Sequence, residues 1–221
     1  MDKRTVILKD YIPYTVKDAE VPSAVFYIPF KCCNLNCYHC HNKNTYYSYG
    51  SERFFTLKEL ANELEKLEKL GIELFIISGG EPLMLIDDVP ILQFRQRKPV
   101  RIDTNGLLYG KVKEVADFVD GFAVDVKVPI RGKYTVEEIK RYTKVLFWNQ
   151  TPKFSVGEYA YRVRKTLEFL AEKQLPFTIT RTVRYPLLKE EEIEEIRETV
   201  TAYGLEHQVN PFYPVEVAKD E

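Results

Sequence analysis

A chain of 221 residues with 45% hydrophobic content can bury one sizeable core, and a single domain over residues 1–221 is the expected organisation. Its 32 basic and 33 acidic residues leave a net charge of −1, which provides no electrostatic footprint for nucleic acid. No apolar run is long enough to cross a bilayer, and residues 1–10 are charged rather than leader-like, so a cytoplasmic protein without a membrane partner is expected.

The apolar, β-prone run A-V-F-Y-I at 24–28 feeds directly into C-C-N-L-N-C-Y-H-C-H-N at 32–42, which places a cysteine-rich loop at the C-terminal end of a strand. All four cysteines of the chain lie in that loop. After a polar, Tyr-rich stretch at 42–53, Thr56 and Glu59 stand at capping-box spacing; Leu57, Leu60, Ala61, Leu64 and Leu67 then share one helical face, and Gly71 closes it. Residues 72–77 read as a buried strand ending in Ser78-Gly79-Gly80-Glu81-Pro82. A helical stretch at 85–97, interrupted at Pro90, leads to a strand at 100–102 ending in Asp103-Thr104-Asn105-Gly106. A short helix at 112–119 and a strand at 121–124 lead to Asp125-Val126-Lys127. Thr135 with Glu138 and Ser155 with Glu158 announce two more helices before Gln174. A strand at 177–180, a helix at 189–203 with an acidic first turn and Gly204 as its stop, and a strand at 205–209 complete the series. The acidic run at 189–198 reads as a solvated helix face, and Phe147 with Trp148 as packing residues.

Six strands alternating with helices predict a parallel α/β sheet. The unusual polar clusters follow strands one to four in succession, each at a strand's C-terminal end, where barrel active sites are built. No glycine-rich phosphate loop follows the first strand, as a doubly wound nucleotide-binding sheet would require. The predicted architecture is therefore a partial (β/α)6 TIM-type barrel with a mostly parallel sheet.

Cys33, Cys37 and Cys40, spaced x3 and then x2, suit three corners of a cubane iron–sulfur cluster and leave one iron open for a reacting ligand. A closed zinc site from Cys32, Cys37, Cys40 and His41 is an alternative, but it lacks the second ligand pair that structural zinc modules bring from downstream. Two disulfides within nine residues would staple nothing else in the chain. Gly79 and Gly80 let a ligand approach the main chain, and Glu81 offers an ammonium acceptor; the alternative is an ordinary turn. Asp103 either faces the same ammonium or belongs to a tight Asn-Gly turn. Asp125 and Lys127 share the interior face of a strand, where buried charges must pair or hold a charged ligand. Arg181 is a second anion contact or a solvated strand end, and His207 a structural residue.

The C-x3-C-x2-C loop after the first strand and the G-G-E-P segment resemble the radical S-adenosylmethionine (SAM) superfamily over most of the chain. Cys40-His41-Asn42, Asp103-Thr104-Asn105-Gly106 and Asp125-Val126-Lys127 more narrowly resemble the activases of glycyl radical enzymes, namely pyruvate formate-lyase activating enzyme and the activating component of anaerobic ribonucleotide reductase. The resemblance implies a [4Fe-4S] cluster on Cys33, Cys37 and Cys40, and SAM bound by His39, Gly79, Gly80, Glu81, Asp103, Asn105, Asp125, Lys127 and Arg181. In that set Asp103 would meet the methionine ammonium, Lys127 its carboxylate and Asp125 the ribose. His39 stands where the superfamily usually has Tyr, Phe or Trp, and would lie against adenine. Arg181 occupies the late strand in which the activases commonly carry a histidine. The implied reaction is one-electron cleavage of SAM to a 5′-deoxyadenosyl radical that takes a hydrogen atom from a backbone glycine of a glycyl radical enzyme, with flavodoxin or ferredoxin as electron donor. A small-molecule enzyme resembling the 7-carboxy-7-deazaguanine synthases is the alternative. With all cysteines in one loop, no auxiliary cluster is expected.

Overall fold

The computed structural model describes residues 3–42 and 53–215. Six strands run parallel in the spatial order β3 (Ser23–Tyr27), β5 (Leu74–Ser78), β6 (Val100–Thr104), β7 (Gly121–Asp125), β8 (Ile179–Val183) and β9 (His207–Asn210). They curl into the expected half-barrel. Two features of the N-terminal region were not legible: β2 (Ile12–Thr15) extends the sheet as an antiparallel seventh strand beside β3, and β1 (Arg4–Leu8) pairs with β4 (Phe54–Thr56) in a separate ribbon. Most of the Tyr-rich stretch, residues 43–52, lies outside the described residues.

The helices begin where the capping signals place them. Thr56 Oγ1 accepts the Glu59 amide at 3.2 Å while Glu59 Oε2 accepts the Thr56 amide at 2.8 Å, opening α1 (Leu57–Lys69), which buries Leu60, Leu64 and Leu67. The Thr135–Glu138 pair does the same for α4 (Val136–Phe147), and Ser155 caps α5 (Val156–Lys173). Between them in the chain lie α2 (Ile91–Arg95) and α3 (Tyr109–Val115), and α6 (Glu190–Thr201) precedes β9. The strand expected from 177 starts at Ile179 instead, because Phe177 donates its amide to Asp120 O and its backbone passes over Gly121, where a Cβ would stand 2.3 Å from the Phe177 carbonyl carbon.

Register sorts the side chains into two faces. Phe26, Phe75, Ile77, Ile102, Phe122 and Val124 point outward into the core made with the helices. On the inner face, cross-strand partners form rows: Val25, Ile76, Arg101 and Gly121; then Asp103, Ala123 and Ile179; then Asp125, Arg181 and Gln208. The inner face is thus apolar across β3 and β5, where Val25, Tyr27, Leu74 and Ile76 pack on Leu8 and Phe30, and charged across β6 to β8.

The acidic run on α6 is not wholly solvated. Glu192 is 4% exposed and takes Arg141 Nη1 at 2.9 Å and Nη2 at 2.5 Å, Tyr142 Oη at 2.7 Å and the Lys189 amide at 2.8 Å. Glu195 pairs with Arg131, so two carboxylates clamp α6 to the α4 region. Phe147 is buried as expected, and Thr180 Oγ1 lies 2.8 Å from His207 Nδ1, a structural contact.

Candidate functional site

The loop after β3 carries Cys33, Cys37 and Cys40 onto the wall of a cavity of about 290 Å³ at the C-terminal ends of the strands. All four cysteines are free thiols. Burial pushes the Cys33 thiol up to about 11 and the Cys37 thiol up to about 12. Cys32 does not line the cavity; its carbonyl instead accepts the Glu81 amide at 2.7 Å.

The two glycines also answer a close approach of the main chain. A Cβ on Gly80 would stand 2.3 Å from Cys32 O, and one on Gly79 would stand 2.4 Å from Ile28 O. Both glycines line the cavity, but what approaches them is the backbone of the cysteine loop. Asn42 Nδ2 adds a 2.5 Å hydrogen bond to Gly79 O. The cysteine loop and the Gly79-Gly80 turn therefore form one main-chain unit.

The Glu81 side chain turns away from the cavity. Its carboxylate is 1% exposed and does not line the cavity; Oε1 accepts Thr104 Oγ1 at 2.7 Å and the Leu83 amide at 3.2 Å, and Oε2 accepts the Asn105 amide at 2.8 Å. Burial lifts its pKa to about 7 against those three donors. Asn105 lines the cavity and donates Nδ2 to Asn34 Oδ1 at 2.6 Å. Glu81 and Asn105 thus tie the turns after β5 and β6 to the cysteine loop.

Asp103, Asp125, Lys127 and Arg181 all line the cavity, in a ladder of ion pairs. Arg101 Nε donates to Asp103 Oδ1 (3.0 Å), Arg181 Nη1 to Asp103 Oδ2 (2.9 Å), Arg181 Nε to Asp125 Oδ1 (3.1 Å) and Lys127 Nζ to Asp125 Oδ2 (3.1 Å). Arg181 is not a solvated strand end: its side chain is 15% exposed and bridges two carboxylates. Burial alone would raise Asp125, yet the Lys127 and Arg181 charges beside it hold it below the usual range; burial would lower Lys127, yet Asp125 holds it well above. Arg101 was missed, although it stands two residues before Asp103 and so shares its face, the same spacing that singled out Asp125 and Lys127.

His39 lines the cavity with a positive φ of 46°, but its ring is tied at the edge: Nδ1 lies 2.9 Å from Val215 O and 3.3 Å from Val215 N. His41 Nε2 lies 2.8 Å from Tyr213 O, and Phe212 stacks on Tyr38 with ring centroids 5.7 Å apart. Residues 211–215 form a strap across the cysteine loop, and Phe212 completes the cavity wall with Tyr27, Phe30 and Tyr185. No sequence signal announced this strap.

The zinc alternative does not survive. His41 is engaged with Tyr213, Cys32 is off the cavity wall, and among the described residues no three His, Cys, Asp or Glu side chains converge on a single-ion position. Closed tetrahedral zinc needs four ligands within about 2.3 Å of one point, whereas a cubane takes one thiolate at each of three irons. Three half-buried free thiols on one cavity wall fit the latter donor set.

Fold and site together define a half-barrel protein with three free thiols gathered at the C-terminal ends of its parallel strands. Residues 27–203 match the model of the Radical SAM superfamily, and the chain belongs to that superfamily. Its cofactors are accordingly a [4Fe-4S] cluster and SAM. The chain is 30% identical over 102 residues to the 7-carboxy-7-deazaguanine synthase of Methanothermobacter thermautotrophicus, covering 46% of this chain and 41% of the relative. It is 29% identical over 136 residues to a probable GTP 3′,8-cyclase of Pyrococcus horikoshii, covering 53% and 42%. Each match spans less than half of the relative's length. In structure, the chain resembles Streptococcus suis SuiB bound to its precursor peptide SuiA, with TM-score 0.60, 16% identity, and coverage of 90% of this chain and 42% of that one. No helix among the described residues is long and apolar enough to cross a membrane.

Proposed function

We propose that this chain cleaves SAM reductively at a cluster held by Cys33, Cys37 and Cys40 and directs the resulting radical at a small heterocycle of the guanine type. The observation that carries this reading is its similarity to two proteins whose names, 7-carboxy-7-deazaguanine synthase and GTP 3′,8-cyclase, both concern guanine-ring compounds. The cavity agrees: about 290 Å³ walled by Tyr27, Phe30, Tyr185 and Phe212 is near the lower end of small-molecule sites and offers aromatic faces to a flat ring.

Cys33, Cys37 and Cys40 would hold the cluster, which when bound and reduced would supply the single electron that reductive cleavage of SAM requires. The chain's own part is positioning. Lys127, at the thiolate end of the ladder, presents an ammonium to the cofactor's carboxylate. Asp103 and Asp125, each already fixed by two cations, are acceptors of set orientation for its ammonium and ribose. The strap narrows the mouth and keeps water from the radical. A flavodoxin or ferredoxin is the proposed electron donor.

This reading displaces the activase. Two of the elements that suggested a glycyl radical enzyme as partner have local work, Asn42 on Gly79 O and Asp125 with Lys127 within the ladder. The test is anaerobic reconstitution, reduction, and incubation with SAM and guanine-type compounds, including GTP. Release of 5′-deoxyadenosine, stimulated by one of them with a matching mass change in the heterocycle, is expected. No 5′-deoxyadenosine under strong reduction removes the catalytic reading, and a glycyl radical resonance on an added partner enzyme would restore the activase.

A further inference from the structure

Among the described residues three non-glycine positions have a positive φ, and two of them, His39 at 46° and Trp148 at 47°, meet with ring centroids 5.4 Å apart. The third, Gln174, is an ordinary left-handed helix cap. Trp148 is not: its ψ of −108° lies far from that of a cap, and for a bulky residue the conformation is an outlier. Such conformations persist where the surroundings fix them, and they gather at functional sites. The Trp148 amide donates to Lys144 O at 2.9 Å, and the indole meets Tyr38 edge-on with centroids 4.2 Å apart. The whole end of α4 is fastened to the cysteine loop in the same way. The Asn36 amide donates to Leu146 O at 3.1 Å and the Tyr38 amide to Val145 O at 3.0 Å, so the loop caps carbonyls that a helix leaves open at its end. A crossover between parallel strands needs only one helix, and from β7 to β8 that helix is α5, which buries Tyr159, Val163, Leu167 and Leu170. The fold alone does not call for α4.

The outer side of this helix end is basic. Residues 139–157 contain Lys140, Arg141, Lys144 and Lys153 and no Asp or Glu, in a chain of 33 acidic and 32 basic residues. Arg141 is spent on Glu192, but Lys140, Lys144 and Lys153 are exposed, and among the described residues no carboxylate pairs with them. Lys140 and Lys144 are one helical turn apart, and Trp148 stands four residues further on. The neighbouring α6 does not cancel the charge, since its Glu190, Glu192, Glu194 and Glu195 are each spent on an arginine. Val136 and Ile139 add exposed apolar surface to the same helix. We infer that the exposed side of α4 and the turn at 148–153 dock the small acidic carrier protein that reduces the cluster, with Trp148 between carrier and cysteine loop. Charge selects a partner of opposite sign, and position selects a redox one. A carrier seated on Trp148 is separated from the Cys37–Cys40 segment by Tyr38 and His39, whose rings the indole touches. The carrier is oxidised by one electron and the cluster reduced by one. A patch of a few lysines suits the small, charge-steered interfaces of transient redox encounters.

This inference rests on the proposed cluster, and the test separates the two. Flavodoxin and ferredoxin, both acidic carriers, are each titrated into the anaerobically reconstituted protein, with binding read by calorimetry at low salt. The parent is expected to bind at least one of them, and Lys144→Glu combined with Lys153→Glu is expected to weaken that binding at least about tenfold. The difference should close at about 1 M salt, where the Debye length is about 3 Å. Lys58→Glu combined with Lys113→Glu, on α1 and α3, changes the net charge equally and is expected to bind within about twofold of the parent. Release of 5′-deoxyadenosine driven by dithionite should be the same in the parent and the α4 variant, whereas release driven by the reduced carrier should fall in step with binding. No release from the parent under dithionite removes the cluster, and carrier binding that depends on Lys144 and Lys153 still decides the surface. If neither carrier binds the parent, or if the α4 variant binds as tightly as the parent, the inference is overturned. Lysine-dependent binding of RNA or of a second copy of the chain, with no carrier bound, overturns it as well.

Discussion

The cysteine loop and the charge ladder border the same cavity and are held by different kinds of bond. The loop is held by main chain against main chain: the Glu81 amide on Cys32 O, and glycines where any side chain would strike Cys32 O or Ile28 O. The ladder is held by side chains alone, five charges on three neighbouring strands whose geometry follows from register. A main-chain scaffold tolerates changes of side chain but no added atom. A ladder tolerates changes of size but no loss of charge.

Breaking the ladder should have the largest effect. Asp125→Asn leaves Arg181 and Lys127 both short of a counter-charge, and because the Asp125 side chain is itself 36% exposed a loss of about 3 kcal/mol in chemical denaturation, at the low end for a buried pair, is expected. An unchanged midpoint would mean that solvent screens the ladder. Gly80→Ala strikes the scaffold, since its Cβ would meet a carbonyl oxygen at 2.3 Å rather than a movable side chain. A cost of about 2–3 kcal/mol is expected, together with iron incorporation well below that of the parent after reconstitution. Normal iron content in this variant would show the loop to be pliable.

Away from the cavity, Glu192→Gln should cost about 2 kcal/mol by weakening the forked bond between α6 and Arg141. Burial opposes ionisation of Glu192, but the Arg141 guanidinium and the other donors hold its pKa down to about 2. Its contribution is therefore present above the unfolded value of about 4.5 and fades as pH falls through about 2, so parent and variant melts should converge toward pH 2. Persistence of the difference at pH 2 would assign it to packing.

The thiols set a fourth expectation. Cys33 at about 11 and Cys37 at about 12 must each shed a proton to become ligands, so iron loading at fixed iron should rise between about pH 7 and 9, with proton release seen in weakly buffered medium. Loading independent of pH would mean that the thiolates are preformed. Smallest of all, removing residues 211–221 should shift the melt by about 1 kcal/mol, because among the described residues the truncation loses the hydrogen bonds of His39 and His41 to the strap and the ring contacts of Phe212 with Tyr38 and Tyr185. The cluster's visible absorbance should then bleach faster in air, and an unchanged rate would deny the strap a shielding role.

Local spacing made part of this legible. Cys33, Cys37 and Cys40 stand within eight residues, Thr56 with Glu59 and Thr135 with Glu138 announce helix starts over three residues, and Asp125 and Lys127 share a face because strands alternate. The same alternation would have found Arg101. Glu81 misled, because a carboxylate beside two glycines looks like a ligand contact until Thr104 and Asn105, more than twenty residues on, claim both its oxygens. His39 lines the cavity as expected, but its hydrogen bond to Val215, 176 residues away, was not legible.

The alternation of the six parallel strands with helices, the cysteine spacing and the shared face of Asp125 and Lys127 follow from the sequence itself, because periodicity, capping and pleat act over a few residues. Which acceptor each charge meets, why Gly79 and Gly80 must lack a Cβ, and what closes over the cavity were decided only by tertiary structure. Those contacts join segments from distant parts of the chain that only the closed half-barrel brings within hydrogen-bond reach.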